Sequence, residues 1–171
     1  MVHPEPHETG HAPLPDTSKI ASRVPPGFTA SKWRGGFGNQ VGPIYERFGE
    51  GSTWARGFLV EEKHTNGMEN CHGGMLMAFA DMAFGSAVTY GLHRYWVTIR
   101  LVTDFMSAAR LGDFVCGTAE IAGTDGDFVT TRGHIWTGAG DPDDPAARLL
   151  MTGTGVFKLL GERPGVPRVP R

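Results

Sequence analysis

Met75-Leu76-Met77-Ala78-Phe79-Ala80-Asp81-Met82-Ala83-Phe84 carries a single charge in ten residues. The run is too long, and too rich in Met and Ala, for a buried strand. It reads as a helix that is apolar on every side and therefore interior. Asp81 sits in its middle. A carboxylate taken out of water needs a compensating partner or a chemical task, and such groups gather at functional sites. The fold is thus expected to be organised around this helix, with Asp81 as the first candidate for chemistry.

The chain around it has 171 residues, 40% of them hydrophobic, which suits one domain with a substantial core. A net charge of −2 and a pI near 6.4 lack the basic footprint that DNA or RNA binding needs. No membrane partner is expected either, since the apolar run Met75 to Val88 is interrupted by Asp81 and falls short of the roughly 20 residues of a span. The stretch Met1 to Ile20 mixes Pro, His and acidic residues and does not read as a secretory signal. Cys71 and Cys116 are too few for a disulfide framework. The expected location is cytoplasmic.

Six of the twelve prolines precede Gly27 and three follow Glu162. Proline without an apolar pattern cannot join a sheet or build a core. Residues 1–30 are therefore expected to be a disordered tail, 31–160 the folded domain and 161–171 a flexible end. Ser31 to Gly49, which mixes Gly35, Gly36, Gly38 and Gly42 with Trp33, Phe37, Tyr45 and Phe48, reads as an irregular or weakly helical arm packed by its aromatics. Thr53 to Glu61 reads as a strand. Tyr95 to Phe105 alternates, with Val97, Ile99, Leu101 and Phe105 on one face and Thr98, Arg100, Val102 and Asp104 on the other. Asp113 to Ala122 and Phe128 to Thr137 read as strands joined by a tight turn at Asp125-Gly126, and Arg148 to Lys158 as the last strand. One strand, one buried helix and four further strands make an α+β architecture in which an antiparallel sheet wraps a long central helix.

Asn66, then His72-Gly73-Gly74, then Asp81 nine residues after the histidine, with Met106-Ser107-Ala108 and Leu111-Gly112-Asp113 further on, resembles the hotdog-fold acyl-CoA thioesterases of the PaaI-like group. The resemblance covers roughly Phe58 to Leu160. It implies a thioester hydrolase without metal or bound cofactor, coenzyme A entering as part of the substrate. It also implies a homodimer, often a homotetramer, with the site at the interface. It assigns the backbone N–H of Gly73 to the thioester oxygen, Asp81 as general base or nucleophile, and Thr98 as the hydroxyl near the carboxylate. His72 would orient the loop or the carbonyl, and Asn66 would hold the attacking water or the substrate carbonyl.

Physical chemistry fits those roles. If the helix begins near His72, its first N–H groups lack intrahelical acceptors and lie at the positive end of the helix dipole. Glycine at 73 allows an oxygen to approach the backbone closely. Gly73 and Asp81 are eight residues apart, about 12 Å along a helix, too far for both to touch one carbonyl. Two chains related by a two-fold axis, with these helices antiparallel, would bring Asp81 of one to the helix start of the other.

Other residues invite weaker readings. Cys71 beside His72 suggests a thiol nucleophile, but sequence neighbours rarely face each other, and packing is the better reading. His3, His7 and His11 have helical metal spacing interrupted by Pro4, Pro6 and Gly10. Asp141, Asp143 and Asp144 lack the glycine and distal glutamate of a calcium loop, and Gly35-Gly36-Phe37-Gly38 lacks the Lys-Ser or Lys-Thr of a phosphate loop. The rival functions are a non-catalytic acyl-CoA-binding or regulatory hotdog protein and a hotdog hydratase or dehydratase. Joint presence of Asn66 and Asp81 argues against the first, and the lack of a paired His and carboxylate signature against the second.

Overall fold

A computed structural model describes residues 23–32, 35–49, 53–138 and 144–165. Seven strands and two helices follow in the order β1 (Thr29–Ala30), α1 (Phe37–Gln40), β2 (Tyr45–Phe48), β3 (Trp54–Leu59), α2 (Gly73–Leu92), β4 (Arg94–Phe105), β5 (Phe114–Asp125), β6 (Phe128–Thr137) and β7 (Arg148–Glu162). The strands form one sheet in the order β1-β2-β3-β5-β6-β7-β4, every pair antiparallel. Helix α2 packs on one face of it. This is the hotdog fold, as the sequence implies.

The aromatic residues of α2 decide how the sheet holds it. Phe79, Ala80, Ala83, Phe84 and Val88 are sealed against Phe58, Val115, Ile135 and Phe157. Fully burying each of the larger side chains contributes roughly 1.5–3 kcal/mol. The strands admit the rings because glycine stands beneath them: a Cβ at Gly133 would collide with Phe84, and one at Gly117 would come within 2.9 Å of Phe79. Twenty residues of this hydropathy would also match a membrane span in length, yet two-thirds of the most apolar window is buried in the protein, as in a core helix.

Helix α2 is not interior all round. Met77, Ala78, Asp81 and Met82 are only half-buried, so the expectation of a fully buried Asp81 is corrected. The stripe facing β4 can be followed residue by residue. A Cβ at Gly73 would lie 3.5 Å from the Phe105 ring, Met77 accepts a hydrogen bond from the Thr103 hydroxyl, Asp81 meets Thr98, and Gly85 leaves room for the Trp96 indole.

That stripe also corrects the expected faces of β4. Trp96, Thr98, Leu101, Thr103 and Phe105 lie toward the helix, whereas Val97 and Ile99 were assigned to the face of Leu101 and Phe105, and Thr98 to the face opposite them. The reason is a bulge. Register against β7 shifts between Thr98 and Arg100, so Ile99 is the extra residue and the alternation changes phase there.

Smaller differences concern the ends. Tyr45–Phe48, expected as irregular, is a strand paired with β3. The sheet starts before Ser31, because Thr29–Ala30 pairs with β2 while Phe28 packs edge-on against Phe114 at 5.0 Å. It also runs past Leu160, to Glu162. The β5–β6 turn is Gly126-Asp127, one residue later than expected, with Gly126 at φ +53°. Residues 1–22, His3, His7 and His11 among them, lie outside the described residues, as do Asp141 and Asp143. Asp144 accepts the N–H of Ala146 in a local turn.

Candidate active site

The loop before α2 is built by its own polar residues. A 3-10 turn, Glu62–His64, places buried His64 so that Nδ1 accepts the N–H of Glu61 at 3.0 Å while Nε2 meets the carbonyl of Val41 at 2.9 Å. That pattern requires a neutral ring with its proton on Nε2. Burial holds the imidazole below its usual value, ahead of the smaller opposing hydrogen bond to Val41. The carbonyl of His64 in turn accepts the N–H of His72 at 2.7 Å. No sequence signal singled out His64, because nothing in the pattern tells a buried structural histidine from a solvated one.

Asn66 closes the next turn. Its Oδ1 accepts the N–H groups of Met68 at 2.9 Å and Asn70 at 3.3 Å, and its own N–H reaches the Asn70 carbonyl at 2.8 Å. The side-chain oxygen is therefore occupied, which leaves the amide NH₂ as the group able to meet a water or a carbonyl. Thr65 bridges to Cys71, and Cys71 donates its N–H to Ala109 at 2.8 Å, which ties the loop to the segment after β4.

His72 caps α2. Its Nδ1 accepts the N–H of Gly74 at 2.9 Å, and its carbonyl takes Met75 at 2.9 Å and Leu76 at 3.2 Å. Among the first amides of the helix this leaves Gly73, whose N–H meets no acceptor among the described residues. It is a half-buried donor at the positive end of a 20-residue helix. His72 thus holds the helix start through its ring.

Asp81 lies two turns on, at the β4 edge of the same helix, where its Oδ1 accepts the Thr98 hydroxyl at 2.5 Å. The structure therefore gathers Asn66, His72 and Gly73 at one end of α2 and pairs Asp81 with Thr98 further along. Within one chain the two groups stay apart by about 12 Å of helix rise. Beside them β4 ends the sheet with a free edge and leaves Val97, Ile99, Val102 and Phe105 about half exposed. Phe105, which sequence reasoning did not single out, covers Gly73.

Two neighbours are set aside by their surroundings. Cys71 is buried, and desolvation pushes its thiol up to about 12, which suits packing and not nucleophilic attack. The large groove of about 1060 Å³ lies on the other face of the sheet, lined by Thr118, Arg132, His134, Thr152 and Thr154, away from the helix. Among the described residues no three His, Cys, Asp or Glu side chains gather as a metal site would require.

Known proteins share these features in part. The profile of the thioesterase superfamily matches residues 68–142, from the loop after Asn66 through α2 to the end of β6. An esterase candidate of Pseudomonas aeruginosa, PA0474, is 29% identical over 123 residues, 70% of this chain and 84% of that protein. Among solved structures, the PaaI protein of the E. coli phenylacetic acid degradation operon superposes with a TM-score of 0.61 at 20% identity, over 74% of this chain and 85% of its own. A hypothetical thioesterase protein of Streptococcus pneumoniae, solved with coenzyme A, superposes at 0.55 with 18% identity over 80% and 90%. Residues 68–142 thus resemble the thioesterase superfamily in sequence, and the chain shares the hotdog fold of these solved structures.

Proposed function

We propose that the protein is an acyl-CoA thioesterase whose site is shared between two copies of the chain. The observation that carries this reading is the division of labour along α2: an unpartnered Gly73 N–H at its start, and a carboxylate two turns on at the open sheet edge. Gly73 lies beneath Phe105 and Asp81 beside Thr98. Antiparallel pairing of β4 with its copy, about a two-fold axis midway between those positions near Leu101 and Val102, would set Asp81 of the partner subunit opposite Gly73. It would also cover the apolar residues of the free edge, which a lone chain leaves open to non-specific pairing.

In that arrangement the thioester oxygen sits at the Gly73 N–H, where the helix dipole stabilises the developing oxyanion. Asp81 of the partner subunit takes a proton from a water that the Asn66 amide positions, and the water oxygen bonds to the acyl carbon. The tetrahedral species then collapses, the C–S bond breaks, and the thiolate of coenzyme A leaves and takes up a proton. Direct attack by Asp81 would instead form an anhydride; the Asn66 amide, free to bind water, supports the water route. Thr98 donates to the carboxylate and fixes its rotamer. No metal or bound cofactor takes part in this scheme, and the protein is read as cytoplasmic, with both cysteines buried as free thiols.

Asp81→Asn tests the reading, because the amide is nearly isosteric but cannot act as base or nucleophile. The expected result is an unchanged fold and oligomer with almost no thiol released from acyl-CoA. Near wild-type turnover would remove Asp81 from the mechanism. Wild-type protein that binds acyl-CoA without cleaving it would instead make the chain a binding module.

A further inference from the structure

The segment that follows β4 turns back beside the start of α2 and carries at Arg110 a charge with no ion-pair partner among the described residues. It is tied to the site loop by three backbone links: the bridge of Asn70 with Arg110, Leu111 N–H to Glu69, and Cys71 N–H to Ala109. Residues Arg110 to Asp113 form a tight turn, in which the Asp113 N–H reaches the Arg110 carbonyl and the Arg110 N–H reaches the Asp113 carboxylate, each at 2.9 Å. Gly112 takes φ +88°, and the Arg23 guanidinium lies so close that a Cβ there would approach its Nη1 to 2.8 Å.

Arg110 thus opens this four-residue turn and Arg23 lies against its Gly112, while Asn70, the bridge partner of Arg110, stands two residues before the helix cap His72. Neither arginine has a carboxylate or side-chain hydrogen-bond partner among the described residues. The local carboxylate that could neutralise them, Asp113, is taken by Arg148 at 3.0 Å. With Glu69 included, the turn carries three cations against two anions. Paired guanidinium forks suit phosphate oxygens, which they bind bidentately. Between Gly73 and this turn the chain presents Phe105, Met106 and Leu111, each about half exposed, an apolar surface suited to a methylene-rich chain.

We propose that Arg23 and Arg110 hold the phosphate groups of coenzyme A, while its pantetheine arm crosses Phe105, Met106 and Leu111 to bring the thioester to Gly73. This rests on the thioesterase reading of the site. It adds the residues that would distinguish a coenzyme A thioester from a thioester without phosphates. Both arginines are exposed and lack a side-chain partner among the described residues, so their replacement leaves the fold unchanged.

The test compares the full-length protein with an Arg23→Ala/Arg110→Ala variant, using calorimetric binding of coenzyme A, pantetheine and inorganic phosphate. Wild-type protein should bind coenzyme A more tightly than either fragment. The variant should lose about tenfold or more in coenzyme A affinity, keep its pantetheine affinity and keep its melting temperature. Arg110→Lys with Arg23 intact should recover part of the loss. Equal coenzyme A affinity in variant and wild type would overturn the proposal, as would joint loss of coenzyme A and pantetheine binding, or inorganic phosphate bound as tightly as coenzyme A. Hydrolysis of acyl-CoA by the wild type is measured alongside; its absence would count against the thioesterase reading and leave the binding result to stand alone.

Discussion

Gly73→Ala separates the proposed chemistry from the fold. Gly73 is the first residue of α2 and is not among the residues with positive φ, so alanine can adopt its conformation. The added Cβ would sit 3.5 Å from the Phe105 ring, an ordinary van der Waals distance, and nothing in the chain must move. Removing a glycine's unfolded-state freedom at a compatible position stabilises by about 0.4–1 kcal/mol, so the melting temperature should stay level or rise slightly. Activity should move the other way. The same methyl stands beside the unpartnered N–H and holds the thioester oxygen off it. Losing one oxyanion donor costs about 10²–10³ in kcat, roughly 2.7–4 kcal/mol of transition-state stabilisation. Thiol release from acyl-CoA, read colorimetrically beside a melting curve on the same sample, measures both. A Gly73→Ala protein that is folded, dimeric and within about twofold of wild-type turnover would refute the assignment of that amide.

Three other outcomes follow from the packing and the polar contacts. Gly133→Ala, away from the site, should give the opposite pattern, a clear loss of melting temperature, because its Cβ meets the Phe84 ring; overpacking of this kind costs typically about 1–3 kcal/mol. His64 is buried with its imidazole held below the usual value of about 6.5, so the unfolded chain takes up its proton first. Stability should therefore be complete above that value and decline as pH falls below it, and His64→Gln should flatten the decline in melting temperature across that window; an unchanged slope would contradict the neutral-ring account. Val102→Lys places a charge near its own copy at the proposed two-fold axis and should shift sedimentation toward monomer with parallel loss of turnover; an intact dimer would place the interface elsewhere.

The central helix was legible because its cause is local: an unbroken apolar run with one acid, opened by a capping histidine and two glycines. The same pattern misled on burial. An all-round apolar helix reads as interior, but the sheet of one chain covers twelve of the twenty α2 residues and leaves Met77, Ala78, Asp81 and Met82 half open. Periodicity cannot tell a surface buried by the chain's own sheet from one reserved for another body. The β4 bulge was illegible for a related reason. Ile99 is one β-branched residue inside a run rich in residues that favour strands, and only the pairing with β7 reveals it as the extra one. Strand β2 has four residues with Glu46 and Arg47 at its centre, too short and polar to show alternation. Its role is tertiary: Glu46 meets the Tyr90 hydroxyl at 2.8 Å, Tyr90 meets buried Arg56 at 2.9 Å, and Arg56 bonds Ser86, which joins the arm to the C-terminal half of α2. These partners stand 30 or more residues apart in sequence, where no local pattern reaches.

The shared site is tested most directly by mixing two inactive proteins. Asp81→Asn keeps an intact Gly73, and Gly73→Ala keeps an intact Asp81, so a dimer of one chain of each has one complete site and one doubly damaged site if the two groups come from different chains. Two affinity tags allow the mixed dimer to be purified and its composition confirmed before assay. The account predicts about half the wild-type turnover per mixed dimer, from parents that are each nearly inactive. A purified mixed dimer no more active than its parents would show that Gly73 and Asp81 do not act on one thioester across the interface.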